Sequence, residues 1–197
     1  AEILGNLDLA TSLQQRARET ARAAVAWRTQ LDPKPRLCEI EPVIAAAEDF
    51  LLAARGESGL WEVPPFGPEP GITALAARAL LRSSREDVKG EATRALDFLA
   101  GLQNPDGSIH GGRLPVYVTS AAVGALAAGG REKDGPILEN AAAFLAGTQL
   151  DEGEGYSEAD KFYGGIGYGN DLRPDLSNLQ YALQALEEAG AEKSDPA

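Results

Sequence analysis

A chain of 197 residues, 44% hydrophobic and 24% charged, has the length and composition of one globular domain with a substantial core. Its formal charge of -12 and pI near 4.5 repel phosphate backbones and anionic headgroups, and no Lys/Arg cluster offsets this, so nucleic acid and polybasic membrane docking are excluded as partners. Every apolar stretch is broken well short of the roughly 20 residues a membrane span needs, and the single cysteine, Cys38, excludes an internal disulfide framework or a multi-cysteine metal site.

Residues from about Leu7 to Leu31 have helical composition, with Leu9, Leu13, Ala17, Ala21 and Val25 near helical spacing. Pro33 and Pro35 end that helix and make a stiff connector before the next, expected over about Pro42 to Ala54. Cys38 reads as a small buried hydrophobe. Ala1 at the start and the lack of any methionine suit a processed chain or a fragment, and a small first residue suits export to the periplasm after signal-peptide removal. The expected product is soluble; the compartment itself is not written in the residues.

From there the chain repeats. Phe50-Leu51-Leu52 leads to Arg55-x3-Gly59-x-Trp61, Phe98-Leu99-Ala100 to Gln103-x3-Gly107-x-Ile109, and Phe144-Leu145-Ala146 to Gln149-x3-Gly153-x-Gly155. The phenylalanines lie 48 and 46 residues apart, a period that means stacked supersecondary units, each too small to bury its own apolar face. After each loop comes an alanine-rich helix: Thr73 to Leu81, Val118 to Ala128 and Leu176 to Ala189. Small side chains let helices approach closely, so these form the inner layer and the helices ending in Phe-Leu the outer one. The predicted fold is all-α, stacked helical hairpins of about seven helices in a partial α/α toroid. The predicted organisation is an N-terminal helix and connector over 1–35, three repeats within 36–190 (approximately 40–85, 86–131 and 132–190), and a tail, 191–197.

Thr73 to Thr119 is 46 residues and Thr119 to Ser177 is 58, so the third loop carries an insert of about twelve residues near Asp160 to Asp171. It holds Tyr163-Gly164-Gly165-Ile166-Gly167-Tyr168-Gly169, in which glycine permits close backbone approach and tyrosine supplies amphipathic contact area. Long loops in compact folds are where function sits.

The Gln-x3-Gly-x-Trp spacing resembles the repeat of squalene-hopene and oxidosqualene cyclases, and the pattern over roughly 40 to 190 resembles the prenyltransferase/squalene-oxidase repeat of the terpenoid cyclase α/α-toroid superfamily. The resemblance implies that the glutamine ties neighbouring outer helices together, a structural role here assigned to Gln103 and Gln149 with Trp61 and the motif glycines Gly59, Gly107 and Gly153. The repeats are degenerate: Arg55 replaces a glutamine, and Ile109 and Gly155 replace tryptophans. Tyr163 to Leu186, with Arg173-Pro174-Asp175-Leu176-Ser177-Asn178, also resembles bacterial proteins carrying such repeats. A complete toroid of the family has about six hairpins and this chain supplies three, which implies an open arc completed by another protein chain or a second copy.

Catalysis in class II cyclases needs a neutral carboxyl from an Asp-x-Asp-Asp motif, and that motif is absent. The nearest acidic pair is Asp171 and Asp175, which Arg173 between them would hold ionised, the wrong state for a proton donor; Asp106 and Asp175 are the weak catalytic candidates. Asp175 reads as a helix cap beside Arg173, and Asp106, in Asn104-Pro105-Asp106-Gly107-Ser108, as a turn residue. A prenyltransferase-like zinc would need Cys38 and His110 to meet, and nothing in the spacing brings them together. No metal and no cofactor is expected. Acidic stretches such as Asp151-Glu152-Gly153-Glu154 read as solvated loops. Loops of such repeats share one rim, so His110, Tyr117, Tyr163, Tyr168, Arg173, Asp175 and Asn178 are the candidate binding residues for a partner or an apolar small molecule. The expected function is a non-catalytic or degenerate repeat module binding such a partner or ligand; the alternative is a terpene cyclase-like enzyme of isoprenoid metabolism, one half of a split toroid.

Overall fold

A computed structural model describes residues 37–169 and 173–191, with side chains from Ile40 onward. The helix expected over Leu7 to Leu31, the Cys38 side chain and the far end of the insert at Asp171 lie outside the described residues. The helices are α1 (Leu37–Ala53), α2 (Pro70–Leu81), α3 (Glu86–Glu91), α4 (Thr93–Ala100), α5 (Pro115–Gly129), α6 (Gly135–Ala146) and α7 (Leu176–Glu188). A two-stranded antiparallel ribbon, β1 (Glu62–Val63) and β2 (Gly67–Pro68), sits in the first loop. Contacts divide the chain into two compact units, Ala1–Ala45 and Ala46–Ala197. Among the described residues the first holds only the leading half of α1.

The second unit is an all-α partial toroid built from stacked hairpins. Helices α2, α5 and α7 form its inner layer, with α5 packed between the other two, and α4 and α6 pack outside them. Helix α5 has no polar face: Val116 and every residue from Val118 to Leu126 are buried, as a helix enclosed by neighbours must be. Pro115 starts it at a position where a missing N–H costs nothing, and Gly130 ends it in the left-handed conformation, φ 60°. Helix α2 begins earlier than alanine content alone predicts, because Pro70 occupies its first turn and Glu69 caps it through Ile72 N–H at 2.7 Å.

The same bonds recur from repeat to repeat. The hydroxyl of Thr73, on α2, donates to the Trp61 carbonyl at 3.3 Å, while that of Thr119, on α5, accepts from Ile109 N–H at 2.8 Å and donates to Ile109 C=O at 3.3 Å. Both threonines are fully buried, each pinning its repeat loop to its inner helix. On α7 the fully buried polar residue is Asn178, and Ala182 and Ala185 follow it as Ala77 and Leu80 follow Thr73. Burial therefore sets the inner-helix register at 46 and then 59 residues, with Asn178 rather than Ser177 in the threonine position.

Repeats are also joined to each other. Gln103 donates from Nε2 to the Gly107 carbonyl of its own loop, 3.2 Å, and to the Ile137 carbonyl at the start of the next outer helix, 2.8 Å. Gly107 sits at φ +89° with so little room that a Cβ there would lie 2.3 Å from the Asn140 carbonyl oxygen. Arg85 bonds Asp49 at 2.8 Å, and Arg131, 46 residues on, bonds Asp97 at 2.6 Å, so each outer helix is held by the acid preceding the Phe-Leu run of the one before it. In the third repeat that acid is Ala143. Gln149 there donates to the Gly164 carbonyl of the insert at 3.4 Å, and the left-handed glycine of the loop is Gly155, φ 84°, two residues beyond Gly153.

Candidate functional site

The N-terminal ends of α2, α5 and α7 and the third-loop insert build one rim. Tyr168 C=O accepts from Val116 N–H at 3.2 Å, meeting one of the donors that a helix start leaves without an internal partner. Gly169 makes this approach possible: a Cβ there would lie 2.8 Å from Pro115 Cγ and 2.9 Å from Val116 Cγ2, and its φ of +88° suits glycine. At its other end the insert pairs with the residue after Gln149, Leu150 N–H to Gly165 C=O at 2.9 Å and Gly164 N–H to Leu150 C=O at 2.8 Å. Ile166, between these anchors, is buried.

Tyr117, near the start of α5, lies with its ring centroid 5.1 Å from that of Tyr181 on α7, the planes tilted by 57°. Burial first, then Tyr181, Tyr168 and Glu69, push the Tyr117 hydroxyl above the usual phenol range. Three tyrosines and a glutamate from four segments thus share one neighbourhood. Tyr181 and Glu69 carry no motif of their own; the signal for them is position, one on the second turn of an inner helix and one at the cap of another. A cleft of about 300 Å³ is lined by Phe162, Tyr163, Gly165, Pro174, Leu176 and Leu179 of the insert and the start of α7. Tyr163 donates to Glu152 at 3.0 Å, and that carboxylate raises the Tyr163 hydroxyl's pKa.

The two acids singled out by sequence are engaged locally. Asp106 accepts from Ser108 Oγ at 2.6 Å and Ser108 N–H at 3.0 Å, which together hold its carboxyl below the usual range, and His110 Nδ1 accepts from Gly112 N–H at 2.8 Å. Among the described residues no hydrogen bond, ion pair or ring contact joins Asp106 or His110 to the tyrosines. Asp175 caps α7 by accepting from Ser177 N–H at 2.9 Å and Asn178 N–H at 3.0 Å; bonds from Asn178 are the main cause of its lowered pKa, and the charge of Arg173 adds to them. Both carboxyls are stabilised as anions, the state that accepts protons rather than donating them. No group of three or more His, Cys, Asp or Glu side chains with metal-site geometry occurs among the described residues.

Residues 67–197 match the family model of the squalene-hopene cyclase C-terminal domain. The chain belongs to that family. Its terpenoid cyclase-like, all-α toroid character is therefore established by descent as well as by architecture, and the matched stretch takes in β2, every inner helix and the whole insert. The squalene-hopene cyclase-like region leaves out α1 and Trp61, whose indole nevertheless donates to the Leu51 carbonyl at 3.0 Å and closes the first repeat. No curated protein and no solved structure matches the chain. No described helix is long and apolar enough to cross a membrane.

Proposed function

We propose that this chain is a squalene-hopene cyclase-like module that works by binding rather than by protonating a substrate. It takes a partner protein or an apolar molecule through the third-loop insert and the open faces of its inner helices. The observation that carries the reading is the fate of the two candidate acids: Asp106 and Asp175 are spent on a turn and a helix cap, and their bonds favour the ionised form. The rim supplies what binding needs, namely aromatic side chains with polar edges at Tyr117, Tyr163 and Tyr168, flanked by exposed Leu176 and Leu183. Arg173 and Asn178 border it, Asn178 buried beneath the Asp175 cap.

Membership of a cyclase family favours a second reading, an isoprenoid-metabolism enzyme in which this chain is one half of a split toroid and the acid comes from the other half. Incubation of the full chain with squalene and with prenyl diphosphates separates the two. The binding reading expects both classes of substrate to be recovered unchanged. Turnover that is lost in Asp106→Asn or Asp175→Asn overturns it.

A further inference from the structure

We propose that the cleft between the third-loop insert and the start of α7 seats one large apolar side chain presented by a basic segment of a partner protein. The proposal rests on the binding reading and names the partner's chemistry. The two sides of the cleft come from different elements. Phe162 and Tyr163 belong to the insert, Leu176 and Leu179 to α7, and the cavity they line measures about 300 Å³. Gly165 and Pro174 join the sides, since a Cβ on Gly165 would lie 2.6 Å from Pro174 Cβ. The insert is held from behind: Leu150 C=O accepts from Gly164 N–H at 2.8 Å, and Leu150 N–H donates to Gly165 C=O at 2.9 Å. On α7, Leu179 packs against the core, while Leu176, one turn earlier on the same face, is 83% exposed. The concavity is therefore built by the fold itself, with an aromatic ring on one side and leucines on the other.

Its volume stands at the lower end of the range for small-molecule sites, about 300–1,000 Å³, which suits one side chain better than a long hydrocarbon. Charge decides what carries that side chain. Residues 151–163 hold five carboxylates, on Asp151, Glu152, Glu154, Glu158 and Asp160, against one ammonium, on Lys161. Three of the five act on the cleft through Tyr163, whose pKa is raised first by its bond to Glu152 and further by the charges of Glu158 and Asp151. Asp175 lines the cleft itself and is held ionised by bonds from Asn178 and Ser177. The two cations beside it are engaged locally: Lys161 Nζ lies 4.5 Å from the Phe162 ring centroid, and the charge of Arg173 acts on Asp175. A fatty acid would meet this edge with like charge. Lys or Arg residues flanking an apolar one meet it with opposite charge, and the net charge of -12 steers the same class of partner toward the chain.

The test is a titration of the full chain with the capped peptide Arg-Arg-Leu-Arg-Arg, followed by backbone amide chemical shifts. Saturable shifts are expected at Gly164, Gly165, Leu176 and Leu179. Replacing the peptide's leucine by alanine should weaken binding about tenfold, because the anchor is lost. Leu176→Ala in the chain should erase most of that ratio while leaving the circular dichroism spectrum unchanged. Glu158→Lys should weaken both peptides alike, and 1 M salt should do the same.

Shifts that do not saturate at the cleft up to millimolar peptide, equal affinity for the leucine and alanine peptides, a ratio that survives Leu176→Ala, or equal binding of Glu-Glu-Leu-Glu-Glu each overturns the proposal. Saturable cleft shifts from decanol but not from the basic peptide overturn it in favour of an apolar small molecule. A chain that shows no leucine preference and leaves squalene and prenyl diphosphates unchanged loses this partner and keeps the binding reading. One that prefers leucine and also converts either substrate keeps the cleft's occupant and ends that reading.

Discussion

The guanidinium of Arg55 donates to the Glu91 carboxylate at 2.8 Å, and this ion pair stands where the following repeat has a neutral bond, Gln103 to the Ile137 carbonyl. Arg55 holds the glutamine position of the first repeat, and Glu91 lies 46 residues before Ile137, so one joint between outer helices is made twice with different chemistry. The neutral version is the stronger. Its amide is half-buried and reaches two backbone carbonyls, whereas the Glu91 side chain is 54% exposed and its attraction is screened by water. Gln103→Ala is expected to cost about 1–2 kcal/mol in urea unfolding, and Glu91→Ala no more than about 0.5–1 kcal/mol, falling further in 1 M salt. Equal losses at the two sites would refute the ranking.

Spacing alone carried the fold a long way. The Phe-Leu runs, Gly59 and Gly107, the capping acid Asp175 and the turn at Asp106 all sit where local rules put them, because each is decided by neighbours within four residues. What local rules could not reach is pairing across repeats. Asp49-Phe50 and Asp97-Phe98 are visibly parallel, yet their partners Arg85 and Arg131 lie 36 and 34 residues on, and an exposed acid does not announce which cation it meets. In the last helix Ser177 resembles threonine chemically and so suggests a register one residue short, whereas burial, a property of the packed state, selects Asn178. The candidate site was legible as a rim and an insert, but Tyr181 and Glu69 join it only through the packing of α2, α5 and α7.

Gly107 combines two demands that can be measured apart. Its φ of +89° disfavours any side chain, and its closeness to the Asn140 carbonyl leaves no space for one. Gly112 has the same backbone requirement, φ +88°, with open space around it. Gly112→Ala is therefore expected to cost about 1 kcal/mol and Gly107→Ala about 2–4 kcal/mol, the difference being the displacement of α6 backbone. Thermal melts of the two variants test this, and similar melting temperatures would show that the close approach contributes nothing.

Acid is expected to loosen the joints between repeats. Bonds from Lys133 and then Arg131 lower the pKa of Asp97, and bonds from Asn178 lower that of Asp175. A carboxyl with a depressed folded-state pKa contributes stability that is present above its unfolded value, about 3.9, and is lost as pH falls through the folded value. Unfolding free energy should hold steady from pH 7 to about pH 5 and decline below pH 4. Asp97→Asn should flatten the acid limb, and an unchanged limb in both Asp97→Asn and Asp175→Asn would rule these groups out as its source.

Among the described residues, the inner-layer tie that spans most sequence is the Arg78–Glu188 pair, joining α2 to α7 across 110 residues over the bare backbone of Gly124. The side chains are 12% and 22% exposed, and both Arg78 Nε and Glu188 Oε2 are buried without a partner, so the pair is partly desolvated and incompletely bonded. Removing Glu188 strands Arg78, whereas Glu188 keeps a second contact, to Arg82 at 3.3 Å. Glu188→Leu is accordingly expected to cost about 3 kcal/mol, whereas Arg78→Leu combined with Glu188→Leu should recover much of that loss, since two apolar side chains suit the alanine-rich surface of α5. Gly124→Ala tests the same contact from below. Alanine raises helix propensity by about 0.5–1 kcal/mol, but its methyl would sit 2.8 Å from Arg78 Nη1 and must push the pair off the helix. A net loss of stability in Gly124→Ala that disappears in the Arg78→Leu, Glu188→Leu background would establish that the pair, and not α5 itself, is what the glycine accommodates.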